Sequence, residues 1–338
     1  MIHEHIEHGH LMAKESAQAM AAFCESVSQD LTAQVQKQGI SDATTIYTIA
    51  RGSSDAAANI LSYEFMRELA LPVTSLPPSV FSLGRGVNVE GAVVMVISQS
   101  GASDDLVHSA KGAAAQGAKV LAITNQPDSP VEMAADLTIS IGAGPELAVP
   151  ATKTVIGSVA AGMALLSALV PNYRARANVA IENLAQTSTV HPLADDLRAS
   201  FLRARHVYVI GRDTGYGAAH EVALKLKECC AIHAEAYSAS EVLHGPLQLA
   251  TNPLMVLILD TGADKIQASL DQAEARFRGV GCDVHRINPA DLAADDLTPA
   301  AAAAFLLAVM YPIILKTALA LGLNPDAPET LSKVTKTT

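Results

Sequence analysis

The sequence predicts an α/β protein of two tandem domains related by internal duplication, each a parallel sheet flanked by helices in three layers. Three observations lead there. Short β-branched runs alternate with helical stretches along the 338 residues, the pattern of strand–helix–strand units. The chain is also written twice: "YTIARGSSDAAAN" at 47–59 resembles "YVIGRDTGYGAAH" at 208–220, an offset of 208 − 47 = 161. The same offset carries Gly84 onto Gly245 and Gly101 onto Gly262, so that "SQSGAS" faces "LDTGAD" without a gap. A chain of this length is long enough for two separate cores.

Residues 1–41 carry Met12, Met20, Phe23, Val27, Leu31 and Val35 at helical spacing, which predicts a leading helix packed on the first domain. It starts from "HEHIEHGH", with His3, His5, His8 and His10. Those imidazoles precede any predicted core and have no fixed geometry, so a solvated helix start is expected there and no metal site. The first domain, 42–171, has strands at 45–50, 92–97 and 119–124. Ala92–Ile97 is apolar throughout, as a strand covered on both faces must be. Val155–Val170 is read as the longest apolar stretch; interrupted by Ser158, Gly162 and Ser167, it suits a buried helix better than a membrane span. Pro171 closes the domain. A helical connector at 172–205 leads to the second domain, 206–322, with strands at 207–210, 254–259 and 283–287. A tail, 323–338, completes the chain.

Composition excludes several function classes. Half of the residues are apolar and 17% are charged, as in a compact globular protein. A net charge of −11, no tryptophan and few aromatic residues argue against nucleic acid as a partner. Cys24, Cys229, Cys230 and Cys282 form no C-x-x-C pair, and the N-terminus is too polar for a signal peptide. A soluble, cytoplasmic protein in a reducing compartment is expected, with no membrane association.

"VISQSGASDD", at 96–105, ends a buried strand in hydroxyls: Ser98, Ser100 and Ser103, with Gln99, around Gly101. In a parallel sheet such a loop lies at the carboxyl end of the strand and opens a helix whose first amides lack partners. Small hydroxylated residues there can wrap a phosphate. "RGSSD", Arg51–Asp55, repeats the chemistry at a neighbouring strand end. Helix capping by a serine explains one such loop; two favour an anion site. In the second copy Leu259, Asp260, Thr261 and Asp264 stand at the corresponding positions, and carboxylates repel an anion. Only the first copy is therefore expected to bind one. "GRDTGYG" and "GAAAQGAK" imitate nucleotide loops but have the wrong spacing, ending or context.

"RGSSDAAAN", "SQSGASDD", "GPELAVPATKT", "EVALKLKECCAIHAEAYSASEVLHGP" and "ETLSKVTKTT" span nearly all of the chain from about residue 45. Through them it resembles the tandem sugar-isomerase (SIS) domain family, and within it the isomerase half of glucosamine-6-phosphate synthase. The resemblance implies that Ser54, Ser98, Gln99, Ser100 and Ser103 hold a sugar 6-phosphate, with Gly52, Val149 and Thr152 also at the substrate. Ala151 stands where the motif usually has serine, one sugar-contacting hydroxyl fewer. The resemblance makes Glu228 the base between C1 and C2. It makes His244 the ring-opening residue, donated across a homodimer interface, with Lys225 and Lys333 contacting the open-chain sugar. These residue types suit the chemistry: a tunable carboxylate beside an acidified C–H, an imidazole for ring opening, and a cation for the enediolate-like charge. No cofactor is implied.

Only about forty residues precede the first domain, and Cys24 lies within a helical pattern. The expectation is therefore that no ammonia is drawn from glutamine and that the reaction runs towards deamination of glucosamine 6-phosphate, giving fructose 6-phosphate and ammonia. "ARGSSD" and "AGPE" resemble that isomerase-derived subgroup. A fructosamine-6-phosphate deglycase, separable by pocket residues near Glu146 and Ala151, a stand-alone isomerase and a sugar-phosphate-sensing regulator are the alternatives.

Overall fold

The structure, a computed structural model, describes residues 8–333. Three helices come first: α1 (His10–Ala17), α2 (Ala19–Val27) and α3 (Thr32–Gln38). The single leading helix expected from periodicity is thus divided. Between α2 and α3 the Ser28 hydroxyl donates to the Cys24 carbonyl, and the Asp30 carboxylate accepts from the Thr32 amide. Short polar side chains bonding to nearby backbone compete with a continuing helix. The apolar face survives the break: Met12, Phe23, Val27, Leu31 and Val35 are all buried.

The first sheet has the order β2-β1-β3-β4-β5, all parallel, from β1 (Ile46–Ile49), β2 (Val73–Ser75), β3 (Val93–Ser98), β4 (Lys119–Thr124) and β5 (Leu137–Ser140). Its helices are α4 (Gly52–Leu69), α5 (Ser79–Ser82), α6 (Asp104–Ala115) and α7 (Lys153–Leu169). After α8 (Pro171–Ala185) and α9 (Ala194–Arg203), a second parallel sheet has the order β7-β6-β8-β9, from β6 (His206–Gly211), β7 (His233–Ser238), β8 (Met255–Leu259) and β9 (Asp283–Ile287). α10 (Thr214–Cys230), α11 (Asp264–Gly279) and α12 (Pro299–Ala320) complete it. β2, β5 and β7, three of the four sheet edges, escape the sequence reading, whereas the fourth, β9, was anticipated. Polar or part-exposed residues such as Thr74, Thr138 and Glu235 break the continuous apolar run that marks a central strand.

Successive residues of the central strands serve different cores, as the two-residue period of a strand requires. Met95, Ile97, Leu121 and Ile123 join a large core with α4, α7, α10 and α12, while Val94, Val96, Val120 and Ala122 face α6. In the second sheet Val207, Val209, Leu257 and Leu259 enter the same large core, and Tyr208, Ile210, Val256 and Ile258 face α11. The inner helices of both domains therefore share one interior. Where α4 and α10 cross, an added Cβ at Gly217 would lie 2.6 Å from the Ile60 backbone nitrogen. Glycine is required there by close approach.

α12, not 155–170, is the longest apolar element. It has 22 residues and a mean hydropathy of 1.9 in its most apolar window, long enough to cross a bilayer, but 83% of that window is buried inside the protein. The offset of 161 carries β1 onto β6, then slips. Ile46 pairs with Val93 whereas Val207 pairs with Met255, an offset of 255 − 93 = 162; Val93 pairs with Lys119 whereas Met255 pairs with Asp283, an offset of 283 − 119 = 164. α11 is correspondingly longer than α6.

Candidate active site

β1 and β3 are neighbours, and the chain leaves β1 towards β2 on one side and β3 towards β4 on the other. The crevice beyond their carboxyl ends is the switch point where open α/β sheets bind ligands. Two helices begin there, α4 after Arg51 and α6 after Ser103, so two sets of free amides converge. Gly52, at φ +54°, lets α4 start without a side chain in the crevice. Gly101, at φ +59°, turns the loop against Ser129, whose hydroxyl would lie 2.1 Å from an added Cβ.

The cleft holds about 380 Å³ and is lined by Gly52, Ser53, Ser54, Ser98, Gln99, Ser100, Ser103, Val149, Ala151, Glu228 and Lys333, with Arg51 and Asp105. Ser98 accepts a hydrogen bond from the Gly101 amide at 3.1 Å, and Ser100 accepts one from Ala102 at 3.3 Å. Ser103 occupies the N-cap of α6 yet makes no side-chain cap bond. Capping thus does not account for its hydroxyl.

At the other end of the cleft lies the last turn of α10. Glu228, 25% exposed in its side chain, accepts from Lys225 Nζ at 2.6 Å. Lys225 is wholly buried and also donates to Ser53 Oγ at 2.8 Å; Glu221 Oε1 lies 3.2 Å from the ammonium. Burial favours the neutral amine, but Glu221 and Glu228 outweigh it and hold Lys225 above the ordinary lysine range. Glu221 accepts from the Tyr311 hydroxyl at 3.2 Å. Burial, opposed by Lys225, pushes its carboxyl up to about 7. One ammonium therefore lies between a carboxylate at the cleft and another sealed beneath it.

Of the residues expected at the substrate, Ser54, Ser98, Gln99, Ser100, Ser103, Gly52, Val149, Glu228 and Lys333 come together in this cleft. Lys225 stands behind Glu228 rather than on the wall. Thr152 is fully buried at the start of α7 and does not line the cleft, a correction to the expectation. Its amide donates to Glu146, which also accepts from the Thr154 amide and hydroxyl. Lys333 Nζ lies 3.3 Å from Glu146 and donates to the Ala148 carbonyl at 2.7 Å, joining the tail to the 146–152 loop. His244 is exposed in a short 3₁₀ turn, Glu241–His244, beside a separate cavity lined by Leu243, Leu247 and Val280. No group of three or more metal-ligating side chains occurs among the described residues. Of the N-terminal histidines, His3 and His5 lie outside the described residues, and His10 lies 3.4 Å from Asp326.

Asp105 and Glu221 are residues at or beneath this site that sequence reasoning missed, and Arg51 and Ser53 lie in the "RGSSD" loop it singled out without a role of their own. The repeat held a signal for part of it: subtracting 161 from Lys225 and Glu228 gives Glu64 and Arg67, an ion pair of reversed sign.

A family model for the SIS domain matches residues 39–168 and 200–282. The chain belongs to the SIS domain family. It is 29% identical over 335 residues to a Sulfurisphaera tokodaii glutamine–fructose-6-phosphate aminotransferase (isomerizing), covering 96% of this chain and 56% of that one. It spans about half the length of the curated relatives it matches. Among solved structures, a Silicibacter pomeroyi protein described as a phosphosugar isomerase superposes with a TM-score of 0.83 at 31% identity, covering 94% and 99% of the two chains. A Thermotoga maritima glucosamine-6-phosphate deaminase shares the fold, with a TM-score of 0.74 at 18% identity over 97% and 100%.

Proposed function

We propose that the protein is a phosphosugar enzyme that deaminates glucosamine 6-phosphate by aldose–ketose isomerisation, yielding fructose 6-phosphate and ammonia. The observation that carries this reading is the single cleft shared by the hydroxyl loops and Glu228. The 6-phosphate sits against Ser98, Ser100 and Ser103, where the helix amides favour an anion. The sugar chain then runs towards α10. Glu228 takes the proton from C2 of the open-chain aldehyde and returns it to C1, leaving an imine at C2. Water adds to that imine, ammonia leaves, and the ketone of fructose 6-phosphate remains. Lys225 donates to Glu228 and stabilises the charge that develops beside it.

His244 is assigned to ring opening in a homodimer, each subunit lending it to the partner's cleft. Mixing a His244→Ala protein with a Glu228→Gln protein tests this, because heterodimers regain one complete site. A cytoplasmic setting goes with the reading, since the cysteines of the described chain are unpaired.

The test is incubation of purified protein with glucosamine 6-phosphate while ammonia and fructose 6-phosphate are followed. Absence of both products, with sugar phosphate bound, sinks the reading in favour of a sensor. One observation favours a second reading. Glu228 and Leu331 also line a cavity of about 450 Å³, walled by Lys227, Asn324 and Glu329, with room for a substituent on the amine. Amino-acid release from a fructosamine 6-phosphate, with no ammonia from glucosamine 6-phosphate, establishes the deglycase instead.

A further inference from the structure

The hydroxyl end of the cleft lacks an obvious source of positive charge. Of its lining cations, Lys333 is tied to Glu146 and to the Ala148 carbonyl. Buried Lys225 serves two carboxylates. Asp105, in the first turn of α6, adds a fully buried carboxylate one turn from the loop that receives the phosphate. Left alone, that charge would repel a dianion and cancel much of what the helix amides supply.

Arg51 removes the difficulty. It precedes α4, and its side chain remains 49% exposed on the cleft wall. Its Nε and Nη2 both lie 2.6 Å from Asp105 Oδ2, while Asp105 Oδ1 accepts from the Leu106 amide at 2.9 Å. One edge of the guanidinium is thus fixed by a carboxylate that cannot reach water. Nη1 has no protein partner among the described residues and is available to a ligand. A guanidinium held along one edge is pre-oriented to donate from the others, which suits an anion with several oxygens.

The duplicated position shows the alternative. Arg212, at Arg51 plus 161, donates through Nη1 to Ser238 Oγ at 2.9 Å and Ser240 Oγ at 2.6 Å. The position matching Ser238 in the first copy is Pro77, without a hydroxyl, and the second residue of α11, matching Asp105 in α6, is Lys265. The second arginine therefore satisfies its own loop, whereas the first is clamped from behind and left open in front.

We propose that Arg51 is a substrate-binding residue that selects the dianionic phosphate, its charge offsetting that of the buried Asp105 carboxylate behind it. This rests on the reading of the cleft as a phosphosugar site. Calorimetry with fructose 6-phosphate and with inorganic phosphate tests it on the full chain. Arg51→Gln should weaken both ligands about 10- to 100-fold, the effect of losing one charge-assisted contact. Asp105→Asn should bind as tightly as wild type or tighter, and the double variant should regain part of the Arg51→Gln loss. Unchanged binding by Arg51→Gln overturns the proposal while leaving the phosphosugar reading intact; no binding by wild type overturns both. If circular dichroism shows Arg51→Gln unfolded, Asp105→Asn decides: a tenfold loss makes the pair merely structural and overturns the proposal.

Discussion

The loops after β3 and β8 descend from one ancestral turn and differ in what occupies them. After β3 the loop offers hydroxyls to a cleft. After β8 the corresponding turn is closed by its own charges. Asp260 Oδ1 accepts from the Gly262 amide at 2.8 Å and from Gln267 at 2.9 Å, and Oδ2 lies 2.8 Å from Arg286 Nη2. Burial alone would raise Asp260, but these partners prevail and lower it. In effect a built-in carboxylate stands where the first copy receives an anion from solution.

The inner helices repeat the lesson with the sign reversed. On α4 Arg67 pairs with buried Glu64 and reaches across to Asp213 in the second domain's loop. On α10 Glu228 pairs with buried Lys225, which reaches across to Ser53 in the first domain's loop. Asp213 matches Gly52 in the repeat, and both have φ near +60°. Each domain thus lends a side chain to the other's strand-end loop. Only α10 lends a potential base, and only to a loop that is open. Duplication followed by charge reversal leaves one site and one internal brace.

Four substitutions can break or sharpen this contrast. Glu228→Gln should lower deaminase turnover about 10²- to 10⁴-fold, the usual contribution of a positioned acid–base group, while calorimetry still detects fructose 6-phosphate. Unimpaired turnover removes the base from α10. Arg286→Met should cost about 3 kcal/mol in urea unfolding, because buried Asp260 loses its counter-charge. A loss below about 1 kcal/mol would mean the second loop is not braced by this pair.

Gln99→Asp imports the second copy's carboxylate without its arginine. Hexose-phosphate affinity should fall by at least about tenfold, with little change in melting temperature. The smallest effect concerns pH. Glu221 titrates near 7 when folded and near 4.5 when unfolded, so between these values the folded state holds the extra proton. Stability must then decline as pH rises from about 4.5 to 7 and level off above. Glu221→Gln should flatten that part of the melting-temperature profile; an unchanged slope shows that Glu221 stays ionised throughout.

Much of the fold was legible. The central strands show as apolar runs because both their faces are covered, and the repeat shows because three segments, two of them marked by a shared glycine, kept their spacing. The serine-rich loops stand out because a core strand ending in hydroxyls is locally incongruous. Edge strands β2, β5 and β7 were hidden by half-exposed residues, and the leading helix by polar side chains that interrupt it. Thr152 was misread because its neighbours Val149 and Ala151 do face the cleft, while the turn into α7 directs it inward.

The sequence alone determined the duplicated α/β plan, the two hydroxylated loops and the asymmetry between Gln99 and Asp260. These are local or periodic properties, readable from residue type and spacing. Tertiary structure decided which charges meet: Lys225 with Ser53, Lys333 with Glu146, Arg67 with Asp213, and Arg51 with Asp105. Those partners are 54 to 187 residues apart. No local pattern encodes such distances, since they arise only when two sheets close over one shared set of helices.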